Sequence, residues 1–471
     1  MRVQTDNFID GQWVRSSATD TITVVNPATE RAIATVPNGT VEDADRAVRA
    51  AAAAFPSWSQ SSLDTRVAVM RAAADALEAR SPQVSHDICE EIGKPIVLAR
   101  GEVAAVVGGL RLIGEDLPEV EWEETIGNAI IVREPIGVVV AITAWNAPLL
   151  EIFVKVCAAV AAGCTVVLKP SERAPHSAYV FAEVFEAAGL PAGVLNVVVG
   201  TGPVVGEALV THPLTDMVSI TGSVVAGKRV MELAARGVKR VALELGGKSP
   251  NVIFADADIE RAVNDGVDDC LRSAGQVCAG LTRMIVPADM VERVSAIAKA
   301  RAESYVIGDP ADERTTLGPV ANVDQFYRVR DYIRLGIEEG ATPVTGGVDF
   351  PDTVTEGYFI RPTIFANVDN KMRIAQEEIF GPVLSIIGFD TDEEAIEIAN
   401  DTSYGLGAAV WSGDPARARA VAGRLRAGRV RVNGGPVNRS APHGGFKQSG
   451  VGREGGRFGI EEFLDLKAIL T

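Results

Sequence analysis

Between residues 136 and 245 short apolar runs alternate with helical stretches, and that alternation decides what the chain can become. Residues 136–143 are apolar without interruption, as a strand covered on both faces must be. Further strands read at 165–168, 194–199, 217–221 and 240–245, with helices over 149–162, 177–188, 203–211 and 224–235 between them. Repeats of this length build a parallel sheet with helices on both faces, a doubly wound α/β domain. Ligands of such sheets bind at the carboxyl ends of the strands. Chemistry is therefore sought just beyond each strand, at Trp145-Asn146, Lys169-Pro-Ser-Glu172, Thr221-Gly-Ser223 and Glu244-Leu-Gly246.

At 471 residues there is room for two or three domains. Short strands at 8–9, 13–14, 21–25 and 33–36 give way to two or three alanine-rich helices over 41–115, with breaks expected at Pro56, Pro82 and Pro95. Residues 120–132, with acids at 119, 121, 123 and 124, read as a protruding hairpin or edge strand. A second mixed region runs from 248 to 440, with a strand at 384–389 and a helix at 393–400. The tail from 442 to 467 is rich in glycine and leads into a strand at 464–470.

Charge and composition exclude several functions. A net charge of −17 argues against nucleic acid or an anionic membrane as partner. The longest apolar run, 156–168, is too short to span a bilayer, and the N-terminus has no apolar signal core, which points to the cytoplasm. Five cysteines without paired spacing fit a reducing compartment. The four histidines are scattered and show no metal-ligand spacing, so no metal site is expected.

One cysteine stands apart. Cys278 lies in the small, largely uncharged stretch 273–283, where Gly275 and Gly280 let the backbone approach a bound molecule. A thiol on such a loop is a candidate nucleophile, although most free cysteines are simply small buried hydrophobes. Two glycine-rich turns fail as nucleotide motifs. In Gly200-Thr-Gly202-Pro-Val-Val-Gly206 the third glycine comes one residue late for a dinucleotide fingerprint. In Gly222-Ser-Val-Val-Ala-Gly227-Lys228 a phosphate loop would need Ser or Thr where Arg229 stands. Both turns can still present helix N-termini to a pyrophosphate.

Taken with Cys278, with Glu377-Glu-Ile-Phe-Gly-Pro-Val383 and with the tail from Pro442 to Glu454, these segments resemble the NAD(P)-dependent aldehyde dehydrogenase superfamily over essentially the whole chain. The resemblance implies an oxidoreductase in which Cys278 attacks an aldehyde, and Asn146 and the Cys278 N–H hold the oxyanion. Hydride then passes to a nicotinamide, and Glu244 activates the water that hydrolyses the thioester. Lys155 and Glu454 match a proposed proton path, or form a structural ion pair. Lys169 and Glu172 match residues that hold the adenosine ribose, and a carboxylate at 172 favours NAD over NADP, which remains possible. Ser223 would meet the pyrophosphate, and Glu378 and Phe380 the nicotinamide ribose and ring. Ile142, Thr143, Trp145, Ser171, Gly202, Gly206, Thr221, Gly222, Leu245 and Gly246 complete the implied cofactor set.

The implied domains are a cofactor domain (1–117 and 136–247), a catalytic domain (248–447) and an oligomerisation arm (118–135 and 448–471), with a homodimer or homotetramer as the assembly. One departure is Ala144, where the family usually has proline before Trp-Asn. Another is Ala147, where many relatives carry an aromatic; a small residue leaves room for a bulky aldehyde. Glu151, Val154, Val277 and Ala279 are expected on the tunnel wall, the loop 435–441 at its outer end, and Arg439 in solvent or on a substrate carboxylate. The rival readings are a semialdehyde or CoA-acylating dehydrogenase, and a catalytically idle cofactor-binding relative.

Overall fold

A computed structural model describes all 471 residues and arranges them around two large sheets. The first sheet has eight strands, in the order Gly450–Val451, Arg240–Glu244, Met217–Thr221, Val138–Ile142, Thr165–Lys169, Leu195–Val197, Asp6–Ile9 and Gln12–Arg15. The five in the middle are mutually parallel, as the alternation requires. The edge strands pair antiparallel. Every residue of Val138–Ile142 is buried, and the pleat sorts them. Val139 and Ala141 enter the apolar cluster on one face, Val138, Val140 and Ile142 the cluster on the other. That two-sided burial is why these strands read as unbroken apolar runs.

The second sheet has seven strands, in the order Thr342–Thr345, Thr363–Ala366, Val383–Phe389, Arg283–Pro287, Pro250–Ile253, Gly407–Trp411 and Arg429–Val432. All but the first pairing are parallel. The Cys278 loop lies between the helix Ile259–Leu271 and the central strand Arg283–Pro287. Arg283 is fully buried and clamps this region, donating to the carbonyls of Lys248, Ile398 and Ala399 and to Asn370 Oδ1. A separate three-stranded sheet joins Glu123–Ile126, Ala129–Pro135 and the C-terminal Leu464–Leu470.

Three expectations need correction. The segment 41–116 holds four helices, Val41–Trp58, Leu63–Ala79, Ser81–Ile92 and Ile96–Asp116. Pro82 and Pro95 do mark helix starts, but Pro56 sits inside the first helix. Near a C-terminus a proline forfeits only one backbone bond, and two more residues continue the turn. Finally, Gly450–Val451 adds an edge to the eight-stranded sheet by pairing with Leu243 and Glu244, so it does not sit on the three-stranded arm.

Candidate active site

The carboxyl ends of the first sheet and the Cys278 loop of the second face one cavity of about 520 Å³. Asn146, Glu151, Thr221, Glu244, Leu245, Cys278 and Glu454 all line it. Thr221 and Glu244 are cross-strand neighbours at the ends of their strands, so sheet register alone brings them together.

The cysteine loop is held in an unusual backbone. Ser273, Ala274 and Gly275 are consecutively left-handed, with φ of 52°, 56° and 74°. For a non-glycine residue this region costs roughly 1–2 kcal/mol, so the surroundings must enforce it. Gly275 has no room for a side chain, because a Cβ would overlap the Gly381 carbonyl. Gln276 ties the loop down, donating to Ser273 O at 2.9 Å and accepting from Ala321 N at 2.8 Å. Asn146 Nδ2 donates to Gln276 O at 3.0 Å, which sets its amide beside the strand of loop that carries Cys278. Cys278 is half-buried while the other four cysteines are fully buried. Burial pushes its thiol up to about 12, with Glu151, Glu378 and Glu244 adding to the effect.

Asn146 precedes a helical run, 148–162, whose middle turn, Phe153–Cys157, is wound as a π-helix. One extra residue in a turn rotates the rest of the helix about its axis, and such turns recur at functional sites. Here Lys155 is fully buried and its Nζ donates to Glu454 Oε1 at 2.5 Å. Burial opposes the charge on Lys155, yet Glu454, Glu151 and Glu244 together hold its pKa above the usual value. Glu244 is itself well above the carboxylate range, through burial first and the nearby Glu454 second. Its Oε2 has no hydrogen-bond partner.

The groove for a dinucleotide can be tested on the strand ends. Lys169 Nζ is buried and donates to Pro170 O at 2.8 Å and Gly200 O at 2.7 Å, with Glu172 at 3.5 Å. Ser171 is buried beside them; Ile142 ends the neighbouring strand and Thr143 follows it. The late glycine of the 200–206 turn is accommodated because Gly202–Gly206 opens as a π-turn, one residue wider than an α-turn. Gly202 faces open space, and Gly206 lies against the Lys169 methylenes. Ser223 caps the helix Val224–Ala235, directly after Gly222. Glu378 accepts from Gly247 N at 3.1 Å and fills the space a Cβ on Gly246 would need. Burial lifts its carboxyl to about 7. Trp145 and Phe380 meet edge to face at 5.4 Å. A buried lysine, a capped helix start, glycine turns and a carboxylate at the cavity edge suit a dinucleotide.

The substrate end is largely apolar, with Leu98, Leu112, Ile113, Ala147, Leu150, Val154, Val277 and Val437 on its wall. Ala279 and the 437–441 part of the closing loop also line the cavity. Arg439 donates to Ala105 O and so pins this loop to the helix Ile96–Asp116. Sequence reasoning missed the buried pair Lys94–Glu102. Glu102 Oε1 accepts from Leu149 N at 3.0 Å and Leu150 N at 3.1 Å, holding the helix start just after Asn146. The available signal was an acid on an otherwise apolar helix stripe, which needs a partner.

The sequence model of the Aldehyde dehydrogenase family matches residues 13–469. The chain belongs to that family. This aldehyde dehydrogenase is 47% identical to the 3-succinoylsemialdehyde-pyridine dehydrogenase of a Pseudomonas species, over its whole length and 99% of that protein. Among solved structures, a cysteine-to-alanine mutant of aldehyde dehydrogenase C from Pseudomonas syringae, complexed with NAD+ and octanal, superimposes with a TM-score of 0.98 at 48% identity. That alignment covers 99% of this chain and 96% of the other. Betaine aldehyde dehydrogenase from Staphylococcus aureus, in complex with NAD+ and with a BME-modified cysteine, has a TM-score of 0.96 at 38% identity, covering 99% and 96%. No helix of this aldehyde dehydrogenase is long and apolar enough to cross a membrane.

Proposed function

We propose that this aldehyde dehydrogenase oxidises an aldehyde with NAD as acceptor and releases the carboxylate by hydrolysis. The observation that carries the reading is the convergence of Cys278, Asn146 and Glu244 on one cavity at the mouth of the parallel sheet. Cys278 Sγ attacks the carbonyl carbon, and the Asn146 amide and the Cys278 N–H hold the oxyanion. When bound, the nicotinamide accepts the hydride. Glu244, its basicity raised by burial and its Oε2 free, then takes a proton from the hydrolytic water. The ion pair Lys155–Glu454 lies behind Glu244 and carries that proton away.

For the cofactor, Lys169, Ser171 and Glu172 would hold the adenosine ribose, Gly202, Gly206, Gly222 and Ser223 the phosphates, and Glu378 the second ribose. Ile142, Thr143, Trp145, Thr221, Leu245, Gly246 and Phe380 would line the path to the thiol. Glu172 repels a 2′-phosphate, which favours NAD. The retained base Glu244 speaks for water over CoA as the thioester acceptor. The apolar wall, the small Ala147 and the octanal complex of a 48% identical relative support a long aliphatic or aromatic aldehyde. The two large sheets support a division into a cofactor and a catalytic domain, and the exposed apolar residues Ile126, Leu466 and Leu470 of the arm support a homodimer or homotetramer. The five unpaired thiols support a cytoplasmic location.

The test is the formation of reduced nicotinamide from acetaldehyde, octanal, benzaldehyde and a carboxylated semialdehyde, with Cys278→Ala as control. Octanal or benzaldehyde should exceed acetaldehyde in kcat/KM, and the mutant should be inert. A mutant as active as the wild type would remove the thiol mechanism.

A further inference from the structure

Glu151 takes no part in the steps assigned to Cys278, Asn146 and Glu244. It sits in the first helical turn after Asn146 and lines the same cavity as Cys278. Its Oε2 is sealed from solvent and has no hydrogen-bond donor. Glu244 Oε2, which lines the same cavity, is likewise unpartnered. An unpaired buried carboxylate oxygen is expensive unless the site uses it. The lysine one turn further on makes no hydrogen bond with it, since Lys155 Nζ donates to Glu454 Oε1.

From this arrangement we infer that Glu151 is the base that takes the proton from Cys278, leaving Glu244 to serve the water. The inference rests on the proposed thiol mechanism. The Asn146–Gln276 hydrogen bond fastens the chain just before the Glu151 helix to the cysteine loop, and Glu151 and Cys278 line the same cavity. Among the charged groups that act on the thiol, Glu151 stands first, ahead of Glu378 and Glu244. The groups that face Glu151 are Lys155 on its own helical run, Glu454 from the tail, Glu102 from the long helix, and Glu244 and Thr221 at the strand ends. Burial outweighs Lys155 and lifts the Glu151 carboxyl to about 7, so near neutrality it exchanges a proton readily.

The cycle balances. As the S–C bond to the aldehyde forms, the S–H proton moves to a Glu151 carboxylate oxygen, and the hydride goes to the nicotinamide. Glu244 takes one proton from water while the resulting hydroxide attacks the thioester. The C–S bond breaks, the thiolate recovers the proton from Glu151, and the acid product and Glu244 each release one proton to solvent.

The test needs no cofactor or aldehyde. The enzyme is alkylated with iodoacetamide from pH 5.5 to 9, and the rate at Cys278 is read by mass spectrometry of its peptide. The wild type should show a step in rate near pH 7. Glu151→Gln should abolish the step and slow alkylation on the order of 10²-fold, Glu151→Asp should restore part of it, and Glu244→Gln should retain it. A step that persists in Glu151→Gln and vanishes in Glu244→Gln would overturn the inference and give both proton transfers to Glu244. NAD binding by each variant, followed by tryptophan fluorescence, verifies folding. If alkylation behaves as expected but no aldehyde is oxidised, the proposed function fails and the assignment of Glu151 stands.

Discussion

Asn146 offers two amide hydrogens, and at rest the structure engages its Nδ2 with Gln276 O at 3.0 Å. One hydrogen is thus spent on orienting the side chain, and the other is free to meet an oxyanion forming at the Cys278 adduct. Replacing Asn146 by Ala removes that donor. A lost oxyanion donor costs roughly 2.7–4 kcal/mol of barrier, or about 10²–10³ in kcat. The lost orienting bond costs only about 1 kcal/mol of stability, so the variant should fold. Asn146→Asp should be worse, although it is nearly isosteric. Its carboxylate only accepts, so it faces the Gln276 carbonyl and the developing oxyanion with negative charge. The donor acts in the transition state, so kcat and kcat/KM should fall together, with KM little changed. A variant within tenfold of wild type, or a loss confined to KM, would refute the assignment of Asn146.

Glu102→Gln should lower the thermal midpoint and reduce kcat, because it leaves Lys94 as a buried unpaired cation beneath the helix start at 148–150. Breaking a buried pair costs about 3–5 kcal/mol, and differential scanning fluorimetry alongside wild type measures it; an unchanged midpoint would show the pair to be idle. Gly275→Ala should yield little soluble enzyme, since its Cβ meets the Gly381 backbone, whereas Ala274→Gly at φ 56° should raise stability by up to about 1 kcal/mol. The apo enzyme should lose stability as pH rises from about 4.5 to about 7, in part through Glu378. Burial raises that carboxyl in the folded state, so its contribution is full below the unfolded value and is lost as pH passes the folded one. Melting curves of Glu378→Gln should be flatter across that window, and equal slopes would exclude the group.

Where residues obey one period, the sequence was readable. The five parallel strands and the helices between them fall where the apolar runs place them, because strands buried on both faces leave no choice of residue. The gathering of the candidate residues was readable for the same reason. Strand ends are fixed by the strands, so Asn146, Lys169, Thr221 and Glu244 had to approach one another. The unreadable features are the places where the period breaks. Neither π-turn, at Phe153–Cys157 or Gly202–Gly206, has a signature in composition, because it is one residue added to an ordinary helical pattern. Yet the first stands where Lys155 reaches Glu454, and the second sets Gly206 against the Lys169 methylenes.

The left-handed run at 273–275 is the sharpest case. Serine and alanine do not choose that conformation, and the packing of Gly275 on Gly381 and the Gln276 hydrogen bonds impose it. Strain of this kind survives only where the surroundings over-determine it, and here it ends three residues before the thiol. The same reasoning applies to Phe380, held at φ 60° against Trp145. Of the nine non-glycine residues with positive φ, three, Ser273, Ala274 and Phe380, lie beside the cavity, and those three are held by tertiary contacts. A cysteine read as a small core hydrophobe would need none of this support. The backbone around Cys278 is thus an argument for its chemistry that is independent of the motif.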